Sequence, residues 1–288
     1  MKRYVVFLSV LLTLFSGVAV SVTLGAHPAT ALAASNRPQD YLALGNSVAF
    51  GSSPLANPSN ADNFIGYPTP VAAALKEKLT NASCPGETSS HFIDLSGSDH
   101  GCRAYRLNFP LHKAYSTSQL KFADGFLQSH PKTLVVSIDI GANDLFALED
   151  GCGGAVTPAE IKCILAGLPA MLATLSANLD TIYWHIRNLD GYHHKLVALT
   201  YYSLNYRDTV NTGVISRVNR VVANRTLAWG GIVADGFGAF DDASTAYKGD
   251  TCAAGLRIVV SPGTCDIHPS PAGRDLLARA IVKALRAD

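Results

Sequence analysis

The stretch Thr133-Leu134-Val135-Val136-Ser137-Ile138-Asp139-Ile140 runs directly into Gly141-Ala142-Asn143-Asp144. An eight-residue run dominated by Thr, Val and Ile reads as a strand, and the glycine that follows it opens a polar turn. Working outward, Tyr41 to Gly45 is a short apolar run that also ends in Gly, and residues 68–79 then read as a helix. His91 to Leu95 is a candidate second strand, and residues 117–128 carry a helical alternation. Leu168, Leu172, Leu175, Leu179, Ile182, Ile186 and Leu189 recur at steps of four and three, which puts them on one face of a long helix. A strand over Lys195 to Tyr202 follows, then a helix carrying Val214, Val218, Val221 and Val222. Gly231 to Ala234 is a short strand, and a last helix over 271–286 packs through Leu277, Ile281 and Leu285. Strands alternating with helices imply a parallel sheet covered on both faces, a three-layer α/β/α sandwich. In such sheets the ligand lies outside the carboxyl ends of the strands, so residues just past each strand are where chemistry is sought.

Composition narrows the classes. Of 288 residues, 48% are apolar and 16% charged, which excludes a disordered chain. With 23 basic against 22 acidic residues there is no electrostatic footprint for nucleic acid. Lys2 and Arg3 precede an apolar run to about Leu24, and Ala31-Leu32-Ala33 supplies small residues for cleavage. That is the layout of a secretory signal peptide over residues 1–33, leaving 34–288 as one exported domain; an uncleaved membrane anchor is the alternative, since the apolar run nearly spans a bilayer. No second run reads as long and charge-free enough to span a membrane, so no stable membrane insertion is expected after cleavage.

The six cysteines all follow the signal segment, as an oxidising compartment allows. They form three local couples, Cys84 with Cys102, Cys152 with Cys163, and Cys252 with Cys265, each in a Gly-, Ser- or Pro-rich stretch that reads as loop. Pairing within each couple is expected, each bridge contributing roughly 3 kcal/mol in the chain-entropy model. Zinc-type C-x-x-C spacings do not occur, and no metal is expected.

Three polar clusters sit at strand or helix ends. Gly45-Asn46-Ser47-Val48-Ala49-Phe50-Gly51 follows the first strand, Gly141-Ala142-Asn143-Asp144 follows the strongest one, and Asp266-Ile267-His268-Pro269 precedes the last helix. Singly, each is ordinary turn chemistry: Ser47 could cap a helix, Asn143 and Asp144 could form an Asx turn, and His268 could lie on the surface. Together and in this order they resemble the blocks of the SGNH (GDSL-type) serine hydrolases, above all the secreted bacterial esterase/lipase branch. The resemblance runs from Tyr41 to the last helix. It implies a flavodoxin-like sandwich with no cofactor, Ser47 as nucleophile and His268 as base. Asn46 stands where the family usually has Asp. The segment Asn81 to Ser89 resembles the second block and points to Gly86, which with Ser47 and Asn143 would form the oxyanion hole.

One departure concerns the acidic partner. The family usually writes D-x-x-H, whereas Asp266 lies two residues before His268 and Cys265 occupies the third position. Either the Asp266 carboxylate or a main-chain carbonyl near Cys265 would orient the ring. An α/β-hydrolase lipase would need G-x-S-x-G, and position 49 is Ala. The function expected is hydrolysis of small-molecule or lipid acyl esters. Carbohydrate O-deacetylation at the same site and a non-catalytic binding module are the alternatives, and oligomeric state is not legible.

Overall fold

The computed structural model describes residues 38–154 and 157–287, so the proposed signal segment and its cleavage site lie outside the described residues. From Pro38 onward the contacts form one compact unit. In chain order the elements are β1 (Asp40–Gly45), α1 (Ser47–Phe50), α2 (Pro68–Leu75), β2 (Lys78–Asn81), α3 (Ser89–Ile93), α4 (Cys102–Asn108) and α5 (Gln119–Ser129). They continue as β3 (Val135–Asp139), α6 (Ala142–Gly151), α7 (Pro158–Trp184), β4 (Lys195–Leu199), α8 (Thr209–Ala228) and β5 (Ile232–Ala234). The chain closes with α9 (Gly236–Ser244), β6 (Arg257–Ser261), β7 (Thr264–Pro269) and α10 (Pro271–Ala287).

The central sheet has the order β2-β1-β3-β4-β5, with every pairing parallel. This is the flavodoxin-like doubly wound order, in which the reversal of winding between β1 and β3 opens a crevice at the strands' carboxyl ends. Strand pleating sends alternate residues to opposite layers. Leu42 and Leu44 of β1 join a core with Leu168, Leu175 and Leu179 of α7, while Tyr41 and Ala43 join Val71 of α2 and Leu277 and Ile281 of α10. The sandwich is therefore α3, α5, α6, α7 and α8 on one face, and α2, α9 and α10 on the other.

Several local readings are corrected. The helix expected over 68–79 stops at Leu75, because Lys76 takes a left-handed conformation (φ 60) that closes the helix on Ala72 and Ala73. The chain is thereby freed to form the edge strand β2. His91 to Leu95 is not a strand: the Thr88 hydroxyl accepts from the His91 N–H at 3.1 Å and starts α3. The cysteine stretches are not all loop, since Cys102 opens α4, Cys163 lies in α7 and Cys265 lies in β7.

The long stripe holds from Leu168 to Ile186, but Leu189 is 50% exposed. A π-helical turn over His185–Leu189 adds a residue to the repeat and rotates Leu189 off the face. Pro158 to Leu189 is also long and apolar enough to cross a membrane by length and composition, contrary to the sequence reading. Its Leu168, Leu175, Leu179 and Ile182 are nonetheless committed to the core beside the sheet.

An element absent from that reading is the antiparallel ribbon β6–β7, paired only with itself. Its turn, Ser261-Pro262-Gly263-Thr264, places Gly263 at φ 76, which suits Pro followed by Gly. His268 stands on this ribbon rather than in a loop.

Candidate active site

The carboxyl ends of β1 and β3 lie side by side, with Gly45 in register with Asp139. Gly45 holds φ +131, and a Cβ there would come within 2.2 Å of Asp139 Oδ1. Only glycine lets the chain turn this closely over β3. The next residue, Asn46, takes the capping role that Ser47 could have filled. Its Oδ1 accepts from the Val48 N–H at 3.1 Å, and its Nδ2 donates to Tyr201 Oη at 2.6 Å. Ser47 is left as the first residue of α1, partly exposed and free of the cap. Beneath the turn, Asp139 is fully buried and accepts from Tyr67 Oη at 3.1 Å, and burial pushes its carboxyl well above the usual carboxylate range.

Past β3, Gly141 (φ +118) starts α6 and turns Asn143 inward. Asn143 is 5% exposed, and its Nδ2 donates to the Glu87 carbonyl at 2.9 Å. An amide nitrogen carries two hydrogens, so one remains for the cavity that Asn143 lines. Asp144 points the other way, accepting from Ser89 N at 2.9 Å and Ser89 Oγ at 2.5 Å, which staples the start of α6 to α3. Burial raises its carboxyl as well.

On β7, His268 Nδ1 lies 2.5 Å from Asp266 Oδ1, and the same oxygen accepts the His268 main-chain N–H at 2.9 Å. The side-chain hydrogen bond to His268 is the chief reason the Asp266 carboxyl is held below its ordinary range. Tyr202 Oη donates to the Ile267 carbonyl at 2.6 Å and fixes the ribbon to the end of β4, while Cys252–Cys265 ties its other side. Bonds also join Cys84 to Cys102 and Cys152 to Cys163.

Ser47, Asn143 and His268 line one cavity of about 360 Å³. Its apolar wall comes from Leu145 and Phe146 of α6 and Val214 and Ile215 of α8. Gly86 is not among the lining residues. It sits at φ +80 in the turn between β2 and α3, one residue before the Glu87 carbonyl that holds Asn143. The paired His193 and His194 are exposed and far along the fold, before β4. Carboxylates gather near Cys84 and Cys102, but both sulfurs are committed to their disulfide and unavailable to a metal.

The sequence reading does not single out Tyr201, Tyr202, Gln119 or Asp139. β4 ends at Leu199, whereas the sequence reading runs the strand to Tyr202, so both tyrosines count there as inside a strand and not past its end, where the ligand rule would look. Gln119 carries no signal, because its partners are far away in the chain.

The sequence matches the model of the GDSL-like lipase/acylhydrolase family over residues 43–276, and the chain belongs to that family. It is accordingly a carboxylic ester hydrolase. Among solved structures, an extracellular lipase from Streptomyces rimosus is similar at 21% identity and a TM-score of 0.58, covering 85% of this chain and 99% of that one. A phospholipase A1 from Streptomyces albidoflavus aligns at 22% identity and a TM-score of 0.58, covering 86% and 100%. An acetylxylan esterase from Geobacillus stearothermophilus aligns at 18% identity and a TM-score of 0.52, covering 86% and 94%. At these identities the likeness establishes the fold. A comparison with curated protein sequences finds no match.

Proposed function

We propose that the protein is an exported serine esterase in which Ser47 is the nucleophile, His268 the general base and Asp266 the group that orients the ring. The observation that carries this reading is the meeting of Ser47, Asn143 and the Asp266–His268 pair at one cavity, from three separate strand ends. Asp266 is favoured over a main-chain carbonyl because its oxygen stands 2.5 Å from His268 Nδ1.

Ser47 Oγ attacks the ester carbonyl carbon as its proton passes to His268 Nε2. The negative charge that forms on the carbonyl oxygen is met by the free Asn143 Nδ2 hydrogen and the Ser47 N–H, with the Gly86 N–H as the third donor that the family resemblance implies. Each such donor is worth ~10²–10³ in turnover. The tetrahedral centre collapses, the ester C–O bond breaks, and His268 returns the proton to the departing alkoxide. Water, deprotonated by the same ring, then cleaves the acyl-enzyme and frees Ser47. Asp266 balances the imidazolium charge in both halves.

The apolar wall of Leu145, Phe146, Val214 and Ile215 supports an acyl group larger than acetyl, hence simple or lipid esters over sugar acetates. Export is supported by three disulfides and by the basic-apolar-small order of residues 1–33, with cleavage near Ala33.

The test is a series of p-nitrophenyl esters from acetyl to palmitoyl, with a fluorophosphonate label for the active serine. Wild type should label and turn over, with a maximum beyond acetyl, and Ser47→Ala should do neither while keeping its melting curve. Retained turnover in Ser47→Ala would remove the assignment.

A further inference from the structure

Behind the proposed active site lies a buried polar chain that the reaction does not touch. Gln119, the first residue of α5, is fully buried and faces the turn before the nucleophile. Its Oε1 accepts from the Gly45 N–H at 2.5 Å, and its Nε2 donates to the Gly45 carbonyl at 3.0 Å. One side chain thus holds both main-chain groups of the residue two before Ser47. The same Nε2 donates to Glu87 Oε2 at 3.0 Å, and Glu87 Oε1 lies 2.5 Å from His91 Nδ1. Glu87 is fully buried too.

The order of these contacts carries the inference. A glutamine amide can point either way, and only its surroundings decide. Glu87 Oε2 and the Gly45 carbonyl oxygen both accept from Gln119 Nε2, so together they hold the NH₂ toward them and leave the amide oxygen for the Gly45 N–H. A reversed amide would set its oxygen against both Glu87 and the Gly45 carbonyl. Glu87 also acts through its main chain, where its carbonyl takes one hydrogen of Asn143 Nδ2 and so sets the direction of the other. Gly86 precedes it directly. The three donors proposed for the oxyanion hole therefore share a single reference point.

We propose that Glu87, acting through Gln119 on the Gly45 turn and through its carbonyl on Asn143, is a positioning residue that sets the spacing of the oxyanion donors. This rests on the serine esterase reading above. The ordinary alternative is a buried network that only supports the fold, and the two make different claims about turnover per folded site. Preorganised donors act in the transition state, so misplacing them lowers kcat and leaves substrate binding alone.

The experiment measures kcat and KM on p-nitrophenyl butyrate, normalised to sites titrated by a fluorophosphonate, at a temperature well below each variant's melting point. Gln119→Met should lower kcat per titrated site ten- to hundred-fold with KM within two-fold, and Glu87→Met should do the same. Glu87→Gln keeps an acceptor for Gln119 and should recover at least half of that loss on a logarithmic scale. Gln119→Leu, which removes both the donor and the acceptor at similar volume, gives the same reading where Gln119→Met does not accumulate. Wild-type kcat per titrated site in any folded Gln119 variant, with only the melting temperature lowered, would overturn the proposal. Absence of labelling in the wild type would overturn the serine reading instead, so the two failures are distinguishable.

Discussion

Replacing Asp266 by Asn isolates the charge of the carboxylate from its geometry. One oxygen, Oδ1, accepts both the His268 main-chain N–H at 2.9 Å and the ring Nδ1 at 2.5 Å. In the Asp266→Asn variant the main-chain N–H still requires an acceptor there, so the amide oxygen stays and the NH₂ points away from the ring. The Nδ1–H tautomer survives, leaving Nε2 able to receive the serine proton. In triads where the amide NH₂ turns toward the ring instead, the wrong tautomer costs ~10⁴ in kcat. Here only the attraction between carboxylate and imidazolium is lost. Two unit charges about 4 Å apart gain roughly 1 kcal/mol in water and about 4 kcal/mol at an effective dielectric of 20. The side chains are 17% and 25% exposed, which places the pair between these limits, at about 2–3 kcal/mol. The expected fall in kcat is therefore roughly 30- to 160-fold. Asp266→Ala removes the main-chain acceptor as well and should lose clearly more. The assay is kcat on a chromogenic butyrate at pH 8, per fluorophosphonate-titrated site. A drop near 10⁴ in Asp266→Asn would refute the shared-oxygen argument, and a drop below three-fold would give the orienting role to the main chain.

Two other perturbations follow from features outside the catalytic pair. Replacing both Cys252 and Cys265 by Ser frees a loop of 13 residues, which should cost roughly 3 kcal/mol and lower the melting temperature by several degrees; calorimetry showing no change would refute the stabilising role. Because Cys265 adjoins Asp266, kcat should fall in the same variant more than KM rises. Asp190 is pushed up to about 6, first by burial and then by the neighbouring Asp124 carboxylate. A raised carboxylic pKa gives stability that is complete below the unfolded value near 4 and is lost as pH climbs through 6. Asp190→Asn should therefore gain on wild type at pH 8, by roughly 1 kcal/mol once solvent screening is allowed for, and little at pH 4. Equal differences in melting temperature at both pH values would remove this account.

The elements legible in the sequence are those whose signal is local and repeated. The run into Gly141 marks β3, the Leu and Ile steps mark α7, and the last helix declares itself through Leu277, Ile281 and Leu285. Two short elements escape such a reading because a single contact decides each. Thr88 capping the N–H of His91 makes a helix of residues with equal claim to a strand, and the αL turn at Lys76 cuts a helix short. The β6–β7 ribbon does have a signal, β-branched Ile258-Val259-Val260 before Pro262-Gly263, but it lies within a stretch whose cysteines and glycines read as loop. Of the candidate site, Ser47, Asn143 and His268 stand at motif positions, and the choice between Asp266 and a carbonyl turns on a backbone path that no motif records. Gln119 is invisible for a plainer reason: its partners, Gly45 and Glu87, meet it only after the sheet has formed.

On the proposed reading, the ribbon that carries His268 makes activity depend on how the two ends of the described domain meet. Ser47 sits in the first helix of the described domain, and His268 in its last strand, on strands that pair with each other and not with the central sheet. The proposed nucleophile and base thus come from opposite ends of the described domain, and only the folded chain brings them to one cavity. Contacts between distant parts of a chain are the slow ones to form, since loop-closure entropy must be met first. Under the proposed roles, activity requires a docked ribbon, which Tyr202 and the Cys252–Cys265 bond secure. On the proposed export route, a chain still crossing a membrane carries a serine without its base, and so would be inert toward the lipids around it until translocation and oxidation are complete.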